Sequence, residues 1–237
     1  MSVFADLVQH LADLLQPLFG ATAAAAAIIL FTALVRLLVH PLSRAAARGQ
    51  KARTRLQPKI AELRNKHAKN PEKLQKAVLA LHAEEKVSPL SGCLPSLLQM
   101  PAFFLLYHLF SSTTIGGRTN ELLTHQLFTA PLGDRWTDAL GGGGLFGGAG
   151  LVYVGLFVLV AAVAAFNYRR TKAMAAASET APVAGGEQVP GLGAMNKVMP
   201  FMSFFTLFTV AVVPLAAALY VVTSTTWSAV ERAVLYR

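Results

Sequence analysis

Long runs of apolar residues, separated by polar segments, dominate the sequence. A transmembrane helix needs about 20 apolar residues, and the run at 20–40 meets that length. The uncharged stretch 198–230 is too long for one ordinary span, and Val213-Pro214 divides it into two. The pattern predicts an all-α polytopic membrane protein with five transmembrane helices, at 20–40, 90–111, 149–167, 197–213 and 214–233.

Two of the polar segments carry helical apolar stripes. Residues 1–19 place Phe4, Leu7, Leu11, Leu14 and Leu18 at helical spacing, which predicts an extracytoplasmic amphipathic helix on the membrane surface. Gly20 would then let the chain turn into the bilayer. The first 20 residues lack the basic region and cleavage site of a secretory signal, so no removable signal peptide is expected.

Residues 41–89 predict a basic helical hairpin. Asn70-Pro71-Glu72 has the cap, proline and acidic first turn of a helix start, so it separates two helical arms. The apolar seam between the arms consists of Leu56, Ile60 and Leu63 on one arm and Leu74, Val78 and Leu81 on the other. Such a short seam buries little area, so the hairpin should be mobile on its stem.

The remaining segments are predicted to be loops. The polar and glycine-rich segment 112–148 contains an apolar stretch, expected on the membrane face and formed by Leu122, Leu123, Leu127 and Phe128. The segment 168–196 follows a span expected to end at Phe166, and its residues 171–196, rich in Ala, Gly, Ser and Pro, are predicted to be mobile. Residues 234–237 form a short tail.

Composition and charge agree with this arrangement. The chain is 54% hydrophobic and 14% charged, with a mean hydropathy of +0.49 and a net charge of +9. Eighteen of the 21 basic residues lie in 41–89, in 168–197, at the end of the last span (Arg232) or in the tail. The positive-inside rule therefore predicts a multi-pass protein with its N-terminus outside and its C-terminus in the cytoplasm. Basic blocks placed in this way are topological signals, so no DNA partner is expected.

Arg36 is the one charged residue within the first apolar run. A charge near the centre of a membrane helix costs about 2.5 to 3.5 kcal/mol, so it marks either a functional site or a snorkelling anchor. Only about 7 Å of helix separates Arg36 from Pro41, and a guanidinium spans that distance unaided. Both interpretations remain open at this point.

Several kinds of chemistry are not expected. The sequence lacks a GxxxxGK[ST] phosphate loop, and its six histidines show no metal-ligand spacing. The single cysteine, Cys93, leaves no internal disulfide. We therefore expect no cofactor, no metal and no covalent catalytic site, and hence no enzyme.

The segment KVSPLSGCLPSLLQMPAFFLLY at 86–107 resembles the second core span of YidC-type membrane protein insertases, which opens with a GC-P-LLQ-P-F-LY pattern. The resemblance continues in the hairpin, in Arg36 followed by Pro41-Leu42, and in MPFMSFFTLF and PLAAALYVVTSTTW near the end. In the last span, Val221 and Thr225 stand where the family commonly has aromatic and amide residues. The chain is similar to the compact five-span bacterial form, which implies the bacterial plasma (inner) membrane.

The resemblance implies a hydrophilic groove that opens to the cytoplasm and to lipid, with Arg36 in its wall. The other residues expected to line it are Ser96, Gln99, Thr206, Thr209, Thr223, Thr226 and Trp227. Each hydroxyl has an alternative role, since Ser and Thr in membrane helices often satisfy a local carbonyl. The second and fourth spans would form an apolar exit.

The function implied is a nucleotide-independent insertase and chaperone. It would move short extracytoplasmic segments of nascent membrane proteins through the groove and release their hydrophobic segments into lipid. The hairpin would recruit the nascent chain, the ribosome or a targeting receptor through Arg53, Arg55, Lys59 and Lys66, or it would bind anionic lipids. The general translocon is a further expected partner of the protein. The alternatives are a small anion-handling channel or transporter and a passive structural subunit of a membrane complex.

Overall fold

A computed structural model describes residues 2–68, 70–85, 94–179 and 199–235, and most of them are helical. The helices are α1 (Ser2–Phe19), α2 (Ala23–Leu38), α3 (His40–Lys66), α4 (Pro71–Glu84), α5 (Leu94–Ser111), α6 (Trp136–Gly141), α7 (Gly148–Glu179), α8 (Phe205–Val212) and α9 (Leu215–Leu235). Short antiparallel strand pairs join β1 (Thr114–Ile115) to β2 (Arg118–Thr119) and β3 (Gln126–Leu127) to β4 (Ala130–Pro131). The described part of the chain is thus an all-α bundle with small β-hairpins.

The last helix, α9, is the centre of the bundle and packs against α2, α5, α7 and α8. Its first turns are buried from Leu215 to Val222. Ala216, Ala217 and Ala218 are fully buried, and α2 presents a similar row of buried alanines between Ala23 and Ala27. Small side chains let two helices approach closely, which is how membrane helices gain packing contacts.

The chain turns at Gly20, as predicted. This glycine has a φ of +53° and begins a 3-10 turn between α1 and α2. A left-handed conformation is costly for residues with a Cβ atom but not for glycine. Because of the turn, α1 packs on α2 with Val8 and Ala12 buried, while apolar side chains on another face of α1 are exposed.

The segment after α5 folds over one end of the bundle. The Asn120 Nδ2 group donates hydrogen bonds to the carbonyls of Leu109 (2.8 Å) and Ser112 (3.0 Å) at the end of α5. The Asp134 carbonyl accepts bonds from the Leu215 amide (2.8 Å) and the Tyr153 hydroxyl (2.6 Å). We call this segment, residues 112–147, the cap of the bundle.

The cap corrects one expectation about its apolar stretch. Leu122 and Leu123 lie in a 3-10 turn and are buried in the core, so the prediction that they rest on the membrane face is wrong. The bonds of Asn120 hold the turn against the end of α5, which turns both leucines inward. Leu127 packs partly against the core, whereas Phe128 is exposed.

The hairpin of α3 and α4 has the predicted start of its second arm. Asn70 caps α4, and its side-chain oxygen accepts a hydrogen bond from the Lys73 amide (3.0 Å). Leu56 and Ile60 are buried in the seam. Lys59 forms an ion pair with Glu85, so the two arms are also joined at the surface.

The C-terminal half departs from prediction at two places. Helix α7 does not end at Phe166 but continues to Glu179, so the prediction of a loop over 171–179 is wrong. Alanine has the highest helix propensity, and the alanines of this segment extend the helix. Among the described residues of the predicted fourth span, a 3-10 turn at Met199–Phe204 precedes α8. The break at Val213-Pro214 is confirmed, with Val213 extended.

By length and composition, two helical stretches of the described residues are apolar enough to cross a membrane. They are Val3–Leu38, which contains α1, the turn at Gly20 and α2, and Gly148–Ala173 in α7. The helical stretch Phe201–Val212 is apolar but shorter. Cys93 and residues 180–198 lie outside the described residues.

Candidate functional site around Arg36

Arg36 lies in the last turn of α2 and its side chain points to α9. Its Nε atom donates a hydrogen bond to the Ser224 hydroxyl oxygen (3.0 Å), and one terminal nitrogen, Nη2, donates to the same oxygen. Ser224 is only 3% exposed. The guanidinium is therefore engaged between helices, and a side chain that served only as a surface anchor would not need such a partner.

Polar groups continue along the same face of α9. Tyr220, Ser224, Trp227 and Glu231 are spaced at i, i+4, i+7 and i+11, which places them on one side of the helix. Tyr220 and Glu231 are also close enough to act electrostatically on Arg36. We call Arg36 and these four residues the Arg36 site.

His40 closes the site where α2 passes into α3. Its Nδ1 atom lies 2.5 Å from Oε1 of Glu231. Since His40 follows Arg36 by four residues, both side chains leave the same side of the α2–α3 junction. The junction is thus attached to α9 at two levels, through Ser224 and through Glu231.

Aromatic rings from α5 border the Arg36 site. The ring of Tyr220 lies 5.8 Å from those of Phe103 and Phe110, measured between centroids. Phe103 also stacks on Tyr107 at 6.0 Å and is partly exposed. The polar site therefore passes directly into an apolar surface on α5.

The structure brings only some of the predicted groove residues to Arg36. Trp227 lies on the face of α9 that carries Ser224, whereas Thr226 lies on another face. The buried hydroxyl of Thr226 has no hydrogen-bond partner among the described residues. Thr223, also on α9, is half-buried, as is Thr206 on α8. The Thr209 hydroxyl donates to the Phe205 carbonyl (3.2 Å), which is the local alternative for a membrane threonine. Ser96 and Gln99 lie in α5, but their side chains are outside the described part of the chain.

The sequence interpretation missed the surroundings of Arg36. Ser224 binds the guanidinium, Tyr220 and Glu231 act on it electrostatically, and His40 contacts Glu231. The spacing of polar residues along the last span was the signal that could have identified them. It would still not have shown which side of α9 faces α2.

The predicted recruiting residues of the hairpin differ in their surroundings. Arg55 and Lys66 are exposed, while Lys59 is exposed but paired with Glu85. The hydrogen bond and charge of Glu85 raise the pKa of Lys59 above its ordinary value. The side chain of Arg53 is outside the described part of the chain.

The chemistry available at the Arg36 site is electrostatic. Within the described ranges, no group of three or more His, Cys, Asp and Glu side chains could hold a metal ion. The site offers a cation, hydroxyl groups and a carboxylate between packed helices. This set suits reversible binding of an acidic or polar group.

The fold and the site define a helical membrane protein with an inward-directed arginine between its first and last apolar helices. The family described as "60Kd inner membrane protein" matches residues 14–237, and the chain belongs to this family. Its relatives include proteins named membrane protein insertase YidC, which confirms the resemblance noted in the motifs.

Three of these relatives show how far the similarity extends. The Clostridium perfringens protein is 46% identical over 87 residues, 37% of this chain and 37% of that protein. The Chlorobium phaeovibrioides protein is 42% identical over 100 residues, 42% of this chain and 17% of that protein. The Anaeromyxobacter protein is 40% identical over 101 residues, 43% of this chain and 18% of that protein. The matches thus cover well under two thirds of each relative's length.

Proposed function

We propose that this protein is a membrane protein insertase. The observation that carries the proposal is Arg36, which binds Ser224 between α2 and α9 in a chain that belongs to the 60Kd inner membrane protein family. Relatives of the chain carry the name membrane protein insertase YidC. The substrates are nascent membrane proteins with short extracytoplasmic segments.

The mechanism places the Arg36 site in the wall of a hydrophilic groove that opens to the cytoplasm and to lipid. Water in the groove lowers the desolvation cost of the guanidinium and leaves it able to attract acidic residues of the incoming segment. Ser96, Gln99, Thr206, Thr209, Thr223, Thr226 and Trp227 line the remaining wall.

The substrate's hydrophobic segment leaves sideways between α5 and α8. The exposed rings of Phe103 and Phe104 on α5, and of Phe205 and Phe208 on α8, support this exit. Burial of about 20 apolar residues in lipid drives the step. The membrane potential adds about 2.3 kcal/mol per charge per 100 mV for negative charge moving outward, so no nucleotide is needed.

The cap supports a groove that is closed toward the outside. The backbone carbonyls of Asp134 and Leu132 accept hydrogen bonds from the start of α9, and the Asn120 side chain donates to the end of α5. A hydrogen-bonded closure at this end leaves the opposite end, where Arg36 and His40 lie, as the entrance.

The topology that fits this mechanism has five spans, with the N-terminus outside and the C-terminus in the cytoplasm of a bacterium. It puts α1 at the outer membrane surface and the hairpin of α3 and α4 in the cytoplasm. The exposed apolar side chains of α1 support its contact with lipid. The positive-inside rule supports the orientation.

Replacement of Arg36 tests the mechanism. Arg36→Ala and Arg36→Lys are reconstituted into liposomes, and protease-protected insertion of a single-span substrate with an acidic outer tail is measured. We expect alanine to abolish insertion and lysine to retain part of it, and neutral tails should weaken the dependence on Arg36. If the alanine variant inserts every substrate as well as the parent protein does, Arg36 is not an electrostatic element of insertion.

The hairpin is proposed to recruit the nascent chain, the ribosome or a targeting receptor. Reversing the charges of Arg53, Arg55, Lys59 and Lys66 should reduce insertion as well as binding to anionic vesicles. A loss of vesicle binding with insertion unchanged would contradict the recruiting role and leave the hairpin as a lipid contact.

A further inference from the structure

Glu231 is an acidic side chain within the Arg36 site. It follows Ser224 by seven residues on α9, and its side chain is 10% exposed. Among the described residues it is the acid that acts electrostatically on Arg36. A carboxylate in this position lowers the net positive charge that an incoming acidic segment meets.

The carboxylate is held by His40 rather than by Arg36. The hydrogen bonds described for Arg36 end on Ser224, whereas Glu231 Oε1 lies 2.5 Å from His40 Nδ1. The Nε and Nη2 atoms of the guanidinium are engaged with Ser224, and a guanidinium carries five N–H donors in all. Further donors are thus available for a carboxylate that arrives from outside the chain.

We propose that Glu231 is a resident counter-charge that sets how strongly Arg36 holds the acidic residues of a substrate segment. His40 is a positioning residue that keeps the Glu231 carboxylate away from the guanidinium. This inference rests on the proposed insertase function and names the group that sets its charge preference. The resident carboxylate weakens the attraction, so an acidic segment binds Arg36 and also leaves it.

The position of His40 supports this division of roles. It begins α3, directly after Val39, where the helix of α2 ends, and its side chain is 36% exposed. Because Arg36 and His40 are four residues apart, loss of the histidine contact leaves the carboxylate near Arg36 but without its own partner. An unpaired carboxylate would move toward a nearby cation. The guanidinium of Arg36 is one such cation, because Glu231 and the adjacent Arg232 both act electrostatically on it.

The test measures charge preference rather than total activity. The full chain is reconstituted into liposomes, and insertion is compared for two substrates whose outer tails differ only in two Asp residues replaced by Asn. The readout is the ratio of protected acidic-tailed to neutral-tailed substrate. Glu231→Gln keeps the shape of the side chain and removes its charge, so we expect the ratio to rise about threefold or more.

The histidine variants act in a matched pair. His40→Leu removes the donor, and we expect the ratio to fall because Glu231 then competes for Arg36. His40→Asn places an amide N–H near the position of Nδ1 and should keep the ratio of the parent protein. In the Glu231→Gln background, His40→Leu should have no further effect on the ratio. If the leucine variant does not assemble, Glu231→Gln alone decides the outcome.

Two results would overturn the inference. If Glu231→Gln lowers insertion of both substrates equally, the His40–Glu231 contact only fastens α9 to the α2–α3 junction. If Glu231→Gln leaves the ratio of acidic-tailed to neutral-tailed substrate unchanged, Glu231 does not act as a counter-charge to Arg36. Arg36→Ala run in parallel separates the two proposals, since it should lower the ratio whether or not Glu231 matters. A parent-like ratio in Arg36→Ala would refute the role of Arg36 itself.

Discussion

Ser224→Ala tests whether the contact between Arg36 and α9 stabilises the fold. The substitution removes one oxygen that accepts hydrogen bonds from Nε and Nη2 of Arg36. A hydrogen bond to a charged group contributes about 1.5–3 kcal/mol to stability, and hydrogen bonds between membrane helices contribute less. We therefore expect the free energy of unfolding to fall by about 1–2 kcal/mol.

Ser228→Ala provides the matched control. Ser228 lies one turn further along α9, and its hydroxyl donates to the Ser224 carbonyl (2.9 Å) of its own helix. Loss of that local bond should change stability by less than about 0.5 kcal/mol. Both variants delete one hydroxyl from the same helix, so their difference reports the contact with Arg36.

The assay is unfolding in mixed detergent micelles, followed by tryptophan fluorescence, to which Trp136 in the cap and Trp227 near the site contribute. A double-mutant cycle with Arg36→Ala adds the pairwise measurement, and we expect a coupling energy of about 0.5–2 kcal/mol between Arg36 and Ser224. If Ser224→Ala is no more destabilising than Ser228→Ala and no coupling appears, Arg36 does not gain stability from α9.

Three further predictions concern the cap, the hairpin and the buried alanines of α2. Tyr153→Phe removes a hydroxyl bond to the cap and should lower the unfolding free energy by about 1 kcal/mol, whereas Tyr168→Phe in the same helix serves as a ring-packed control. The pKa of Lys59 is raised by its acidic partner, so the ion pair contributes at neutral pH and is lost as the pH rises beyond 10.5, the ordinary lysine value. Spin labels on the two hairpin arms should then move apart, and Lys59→Met should abolish this pH response. Ala27→Leu places a large side chain at a fully buried position and should cost about 1–3 kcal/mol in thermal unfolding, while Ala26→Leu, at a partly exposed position, should cost less.

Local chemistry explains which parts of the fold could be predicted. The Asn70 cap, the turn at Gly20 and the break at Val213-Pro214 each depend on a few adjacent residues, and the structure has all three. The loop expected after Phe166 failed because helix propensity in an alanine-rich segment outweighed its loop-like composition. The prediction that Leu122 rests on the membrane face failed because its burial depends on hydrogen bonds from the cap to distant helices.

The sequence by itself determined that this is a helical membrane-type chain with one arginine in its first apolar run, and its motifs already indicated the family. These features depend on composition and on the order of neighbouring residues, and both can be taken directly from the sequence. Only the tertiary structure decided that Arg36 meets Ser224, a partner 188 residues away, and that His40 meets Glu231. Which face of α9 packs on α2 depends on small side chains that let the two helices approach closely. That packing brings together polar groups whose pairing no local pattern encodes.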